Sequence, residues 1–397
     1  MSTRASWQFG LFVVLALQAT AHAGSGYTFV KLVDHVEDNF SPRTLHCASL
    51  NESGEVAFKA SRSAPDGLGS WDVIARVDRA GVMTTLVEDP ARAQFQFFSN
   101  FVSLNDSGQV SFGAFRSDDT REIIRATGTA LTTIASTAGE FSSLGFDTSL
   151  NGAGEVAFTA RLDTGDQGLF SGAGGPVTTH YTGATPVLVD GVTTDLFGGN
   201  SGRPAINAGG EIAFHDRVEP SFAEGIFAGR SGLFRTLGPT GRSYNGAGDR
   251  GDPNLNDSGI GAFETSFSND EGQFVTALAT SNMGALSIVA DTLNGYSGFG
   301  FYPPALNNRG QVAFRGFLND FASDGIFMGP DPKKDAIITS NDKLDGARIL
   351  SSSFSFCTEG LNEAGEVAFV VDVLDDTQFA GFRTVLYLAT PKKPLAP

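Results

Sequence analysis

Apolar and polar residues alternate along this chain in short runs, and no stretch sustains apolar positions at a 3.6-residue spacing. The pattern predicts many short strands and little helix. One nine-residue run recurs seven times: LNESGEVAF from Leu50, LNDSGQVSF from Leu104, LNGAGEVAF from Leu150, INAGGEIAF from Ile206, LNDSGIGAF from Leu255, LNNRGQVAF from Leu306 and LNEAGEVAF from Leu361. Its copies lie 46 to 56 residues apart, near the ~50 of a kelch-type blade and far above a β-helix rung. Within each unit a short segment ends in Leu-Asn, and a turn leads to a Val-Ala-Phe strand and a variable polar loop. Two further strands follow, joined by a tight turn. Four strands make one propeller blade, so the sequence predicts an all-β, seven-bladed β-propeller with four antiparallel strands per blade.

The recurring residues have structural reasons. Asn51, Asn105, Asn151, Asn207, Asn256, Asn307 and Asn362 open the turn, where an Asn side chain can cap nearby backbone. Gly54, Gly108, Gly154, Gly210, Gly259, Gly310 and Gly365 stand three residues on, at a position that tolerates positive φ. Phe58, Phe112, Phe158, Phe214, Phe263, Phe314 and Phe369 share a strand face with the preceding Val or Ile in nearly every copy. They are expected to fill the space between blades. The residue two before each Asn is short, which suits inner strands crowding round an axis.

The seventh unit lacks a last strand: after a third strand at 384–389 comes the tail TPKKPLAP. The stretch from Tyr27 to Val33 resembles the fourth strand of the first unit, so it is expected to complete the last blade and close the ring. Cys47 and Cys357 precede the inner strands of the first and seventh units. Closure would make those strands neighbours, and a disulfide between the two cysteines is expected to staple the joint.

Residues 1–23 read as a signal peptide, with Arg4, an apolar run over 9–17 and Ala21-His22-Ala23 as cleavage site. One domain is then expected over 24–390, followed by a disordered tail at 391–397. Export, to the periplasm or the medium, makes a disulfide chemically permissible. No later segment is apolar enough for a transmembrane anchor. Glycine at 49 and phenylalanine at 34 of 397 residues fit glycine turns and an aromatic core. A formal charge of −17 argues against a nucleic-acid partner.

Length variation falls in the second-to-third-strand loops and in the crossovers between blades, which share one face of the disc. Variable loops on a rigid scaffold are where binding concentrates. These loops are acidic in every blade: Asp66, Asp118 and Asp119, Asp163 and Asp166, Glu219 and Glu224, Asp270 and Glu271, Asp320 and Asp324, Asp375 and Asp376. One reading is a face for cations or a basic partner, with Asp118, Asp119, Asp163, Asp166, Asp320 and Asp324 as candidate Ca²⁺ ligands. The plainer and preferred one is a solvated rim, since no loop spells an EF-hand. The order of elements also makes some of these acids turn residues. Arg250-Gly251-Asp252 is a tripeptide on a crossover, and the histidines show no metal-ligand spacing. No nucleophile elbow, Walker loop, HExxH or CxxC is present, so no catalytic residue is assigned.

The run LN-x-x-G-x-V-A-F, with strands such as GIFAG and GIFMG, resembles the repeat of a group of exported bacterial β-propeller proteins of undetermined function, over residues 27–389. Its logic is similar at a distance to Tol-type and kelch-type propellers. Tol-type turns carry Ser-Pro-Asp-Gly where this chain has Leu-Asn, so a Tol-like partner role does not transfer. Some members of the resembled group end in a hydrophobic sorting helix; this chain ends without one, which implies a free protein, expected to be a monomer. The leading expectation is a non-catalytic exported propeller binding a glycan, surface component or protein on its loop-rich face. A carbohydrate-active hydrolase or lyase with acids at the channel mouth is the alternative, and a structural envelope component a third.

Overall fold

Each repeat folds as a chain reversal leading into a buried strand. In the first, the Gly54 amide donates to the Asn51 carbonyl at 3.1 Å, and Asn51 Oδ1 accepts the Glu55 amide at 2.9 Å. Gly54 lies at φ +79°, and its six counterparts fall between +71° and +83°. Any residue with a side chain would be strained there.

The computed structural model describes residues 20–21, 26–64, 69–198, 202–238, 252–300 and 302–393. Blade one is His46–Leu50, Val56–Ser63, Ser70–Val77 and Met83–Glu88, antiparallel in that order. Blade two repeats the order with Phe95–Leu104, Gln109–Arg116, Arg121–Thr127 and Ala130–Ser136. Blades three to six have their second strands at Val156–Leu162, Ile212–Val218, Gly261–Ser268 and Val312–Leu318. Blade seven takes Val367–Leu374 and Phe382–Pro391 from the C-terminal part and Tyr27–Asp34 from the N-terminal part. That strand pairs antiparallel with Phe382–Pro391, in register from Tyr27↔Pro391 to Asp34↔Val385. The expected closure is therefore present, in a seven-bladed β-propeller. The third strand of the last blade is longer than the expected 384–389 and passes the expected domain end at 390, because it has partners on both sides.

Seven apolar clusters occupy the seven gaps between blades. Phe58 packs with Leu386 and Leu388 of blade seven, while Ala57 joins Phe112 on the opposite side of the same strand. Phe158 meets Ile123 and Ile134 of blade two, Phe214 meets Leu169 of blade three, and Phe263 meets Ile226 of blade four. Phe314 and Phe369 repeat the contact with blades five and six. Each buried ring is worth about 2–3 kcal/mol in transfer terms. Strand alternation thus sends each Phe backward and each Ala or Ser forward round the ring.

Two crossovers read as loops contain hairpins. Val187–Val189 and Val192–Thr194 pair with each other, and the first also runs parallel to Leu233–Gly238, widening blade four. Lys343–Leu344 pairs with Ala347–Arg348. Both turn at Asp-Gly: Asp190 and Gly191 have φ +50° and +78°, Asp345 and Gly346 +50° and +82°. Cys357 is buried and disulfide-bonded; the side chain of Cys47 lies outside the described residues. Most of the expected signal segment lies outside them too, with only the backbone of Thr20 and Ala21 described, paired with Phe29 and Thr28. Asp66, Arg250, Gly251 and residues 394–397 are likewise outside. Among the described residues no helix is long and apolar enough to cross a membrane.

Candidate functional site

The repeat asparagines do more than cap their turns. Asn51 Nδ2 donates to the Asn105 carbonyl, Asn105 to Asn151, and so on round the axis until Asn362 donates back to Asn51, at 3.0–3.4 Å. This cycle of seven bonds joins every blade to the next. On one side it is reinforced by serines: Ser49, Ser103 and Ser149 Oγ accept the amides of Leu104, Leu150 and Ile206 in the following blade.

These rings line a cavity of about 250 Å³ on the axis. Its wall is the Leu/Ile ring, including Leu50, Leu104 and Ile206, with the asparagines above it. Its mouth carries the residues after each Asn, among them Glu52, Asp106, Asp257 and Glu363. Several of these carboxylates accept a neighbouring blade's amide: Asp106 that of Glu52 at 2.9 Å, Asp257 that of Ala208 at 2.8 Å, Glu52 that of Glu363 at 3.0 Å. Burial, with the charges of Glu363 and Asp106 beside it, pushes the Glu52 carboxyl above its ordinary range. At the floor, Glu359 accepts Ser49 Oγ at 2.7 Å, Ser103 Oγ at 2.8 Å and Arg203 Nη2 at 2.6 Å. Toward the loop-rich face Phe101 of blade two meets Tyr302, which leads into blade six, with ring centroids 5.6 Å apart. The cavity opens on the short-turn face, not on the loop-rich face the sequence favours. Glu359 and Arg203 were not singled out from the sequence. Their signal is a charge three or four residues before the Asn; in the first of these slots the other copies have Ala48, Val102, Thr148 or a proline.

The six candidate Ca²⁺ ligands are spread over three blades. Asp118 and Asp119 share one hairpin and, like Asp163 and Asp320 in two others, are exposed; Asp166 is half-buried. Asp118 accepts the Thr120 amide at 3.0 Å, a bond that holds its carboxyl below the usual range. Asp166 accepts Thr164 Oγ1 at 2.9 Å, as a turn residue does. Asp324 departs furthest from a ligand: it is fully buried, takes two bonds from Arg315 at 2.7 and 3.0 Å, and accepts the Ser352 amide at 2.8 Å. Among the described residues no three His, Cys, Asp or Glu side chains come together as a metal site.

Asp324 belongs to a recurring device. Asp72 accepts the Phe98 amide at 2.9 Å, Asp216 the Gly198 amide at 3.0 Å, and each acceptor lies in a strand while the donor lies in or beside an adjoining crossover. Buried or half-buried carboxylates thus anchor the crossovers of the loop-rich face. Sequence reasoning assigned the acids of that face to solvent, to ligands or to turns, with Asp166, Glu224 and Asp324 just before a strand start; Asp324 lies instead within the strand Ser323–Phe327.

What that face does expose is phenylalanine. Phe222, Phe274, Phe321 and Phe379 stand at the second-to-third-strand hairpins of blades four, five, six and seven, with 53, 70, 55 and 109 % exposure. The described hairpins of blades two and three carry Ser, Asp, Thr and Gly there instead. Phe222 rests edge-on against Phe197 at 5.9 Å, and Phe321 lies tilted against Phe317 at 5.2 Å. Both have positive φ, +54° and +67°, a costly backbone for a bulky residue.

One buried chain imitates a catalytic triad. His180 Nε2 lies 2.9 Å from Ser171 Oγ, which donates to Glu155 at 2.5 Å. His180 Nδ1 accepts the Ser231 amide at 3.1 Å, so the proton sits on Nε2 and the imidazole donates to the serine. Burial pushes the imidazole down to about 4. His180 therefore cannot take the serine proton, and Ser171 is fully buried.

A family model matches residues 150–393, the last five repeats. The chain belongs to DUF7453, a family of unknown function. No curated protein matches the sequence. Among solved structures it is similar to the β-propeller domain of the Trilobed protease from Pyrococcus furiosus, described as having an open velcro topology, with TM-score 0.53, 9 % identity, and 89 % of this chain and 97 % of that one covered. The polysaccharide lyase Uly1 gives TM-score 0.49 at 9 % identity, covering 87 % and 90 %. An acylaminoacyl peptidase from Pyrococcus horikoshii gives 0.49 at 10 %, covering 90 % of this chain and 53 % of that one. The first of these likenesses supports the propeller fold.

Proposed function

We propose that the protein is an exported, non-catalytic binding propeller that holds a surface component on the loop-rich face of blades four to seven. The observation that carries this reading is the arc of exposed phenylalanines on four consecutive blades. Rings this exposed bury little area in the fold, and exposed apolar surface recurring on consecutive hairpins marks an interaction site. Support for binding over turnover comes from the Ser171–His180 chain, which is buried away from any substrate and whose imidazole donates to the serine instead of accepting from it. The carboxylates at the cavity mouth are engaged by backbone amides. An exported chain permits a disulfide, and we assign Cys47 as the partner of Cys357. The denatured, unreduced protein should then show no free thiol, and two would refute that bond.

The test is sedimentation of purified protein with isolated cell-envelope fractions. The double variant Phe274→Ser/Phe321→Ser is expected to lose the co-sedimentation, while Val82→Ser, an exposed residue on the opposite face, retains it. Equal sedimentation of all three proteins, or consumption of an envelope polymer by the unaltered protein, would overturn the reading.

A further inference from the structure

We infer that the occupant of this face is a basic protein segment that carries apolar side chains. The inference rests on the loop-face binding reading above and adds the chemistry of the partner. The hairpins that present the phenylalanines also present Asp270, Glu271, Asp320 and Asp376, all exposed. Among the described residues none of these four has a cation within ion-pair distance. The arginines on the flanking strands are taken: Arg217 lies 3.5 Å from Glu224, and Arg383 lies 2.7 Å from Asp34 and 3.0 Å from Glu37. The arc is therefore apolar at its ring positions and negative between them. A partner that buries the rings must offer apolar side chains, and to lie beside uncompensated carboxylates it must offer Lys or Arg.

The same features disfavour other occupants. Nucleic acid meets a face of its own sign. A second copy docked through this face would oppose carboxylates with carboxylates. A sugar needs polar groups that converge on its hydroxyls, whereas the four exposed carboxylates are spread over three hairpins. The contacts at Phe197 and Phe317 hold Phe222 and Phe321 in place before binding, which lowers the ordering cost. One occupied hairpin per blade also suits an extended segment that crosses several blades.

The experiment measures fluorescence anisotropy of three labelled peptides of equal length, made of Lys and Leu, Lys and Ser, or Glu and Leu. The Lys/Leu peptide is expected to bind about tenfold or more tighter than either of the others at about 50 mM NaCl. Phe274→Ser/Phe321→Ser should weaken it about tenfold. Asp270→Asn/Glu271→Gln should weaken it about threefold, a difference that fades at about 500 mM NaCl, as exposed charges are screened. Equal binding of Lys/Ser and Lys/Leu, or indifference to both variants, overturns the inference. Envelope sedimentation separates the two levels. Phe-dependent sedimentation abolished by trypsin treatment of the envelope supports a protein partner. Phe-dependent sedimentation abolished by periodate makes the occupant a glycan, so the inference fails and the binding reading stands. Sedimentation indifferent to the phenylalanines sinks both. A dimer in analytical ultracentrifugation that Phe274→Ser/Phe321→Ser dissociates would make the occupant a second copy and overturn the inference.

Discussion

Replacing Asn256 by alanine cuts the axial ring at one link and uncaps one turn. Asn256 is buried; its Nδ2 donates to the Asn307 carbonyl at 3.1 Å, and its Oδ1 accepts the amides of Ser258 at 3.1 Å and Ile260 at 2.9 Å. Ser258 is exposed, so water replaces its bond. Ile260 is half-buried, and leaving its amide unmet costs about 1–3 kcal/mol. The Asn307 carbonyl keeps the Gly310 amide at 3.0 Å and loses about 1 kcal/mol at most. The expected loss is about 2–4 kcal/mol, read as a lower urea midpoint at unchanged slope. Asn256→Asp separates the two functions. The carboxylate keeps both amide bonds but sets an oxygen against the Asn307 carbonyl unless it is protonated, so its folded pKa is raised. For an acid with a raised folded pKa the penalty is absent below the unfolded value of about 3.9 and grows as pH rises through the folded one. Measured against the parent at each pH, Asn256→Asp should be nearly neutral near pH 4 and clearly destabilised at pH 7. An Asn256→Ala midpoint within about 0.5 kcal/mol of the parent, or an aspartate penalty equal at both pH values, would refute a stabilising ring.

Four further outcomes are expected. His180, held neutral by burial with a folded pKa of about 4, protonates first in the unfolded chain, so stability is lost as pH falls from about 6.5 toward 4, by up to about 3 kcal/mol, and His180→Gln should flatten that slope in urea titrations. Asp324→Ala strands the nearly buried Arg315 and should cost about 3–5 kcal/mol, whereas an unchanged midpoint would remove the anchoring role. Deleting 26–34 takes the closing strand, with buried Tyr27, Phe29, Leu32 and Val33, and should lower the melting temperature by well over the few degrees of a point variant. EDTA should leave the melting temperature unchanged, and a rise of several degrees on adding Ca²⁺ would point to a site formed with residues outside those described.

The fold was legible because its determinants repeat. A turn that needs Asn and Gly at fixed positions, and a strand whose period of two sends Phe58 and Ala57 to opposite gaps, can be read from one line of letters. Closure was legible for the same reason, since Tyr27 to Val33 copies an outer strand that the last unit lacks. The axial ring was half legible: capping by Asn is local chemistry, but a donor that reaches the next blade depends on the ring radius. The loop-rich face was hardest. Asp324 reads in sequence as an acid just before a strand and Asp119 as one in a loop, but nothing in the letters shows that the first is a buried anchor and the second an exposed turn residue. The Asp-Gly signals at 190–191 and 345–346 did mark two hairpins within crossovers, but the flanking strands are only two or three residues long. Phe222 and Phe321 gave no sequence signal of exposure, since phenylalanine in this chain is mainly a core residue.

The meeting of the two ends in one blade has a consequence for how the polypeptide can be cut. The Lys392 amide bonds the Gly26 carbonyl at 2.7 Å, so a short linker could join the ends without moving a strand. The Asp345-Gly346 hairpin tip, in an exposed crossover, would then serve as new termini. In such a permuted chain blade seven would be covalently continuous, and the seam would pass to the junction of blades six and seven. The present seam brings together segments more than 350 residues apart, as in the Tyr27↔Pro391 pair, a separation that slows the search for native pairing. The permuted protein should reach the same ring by a different last step, and comparing the two refolding rates would measure how much of the folding time is spent waiting for the first strand to find the last.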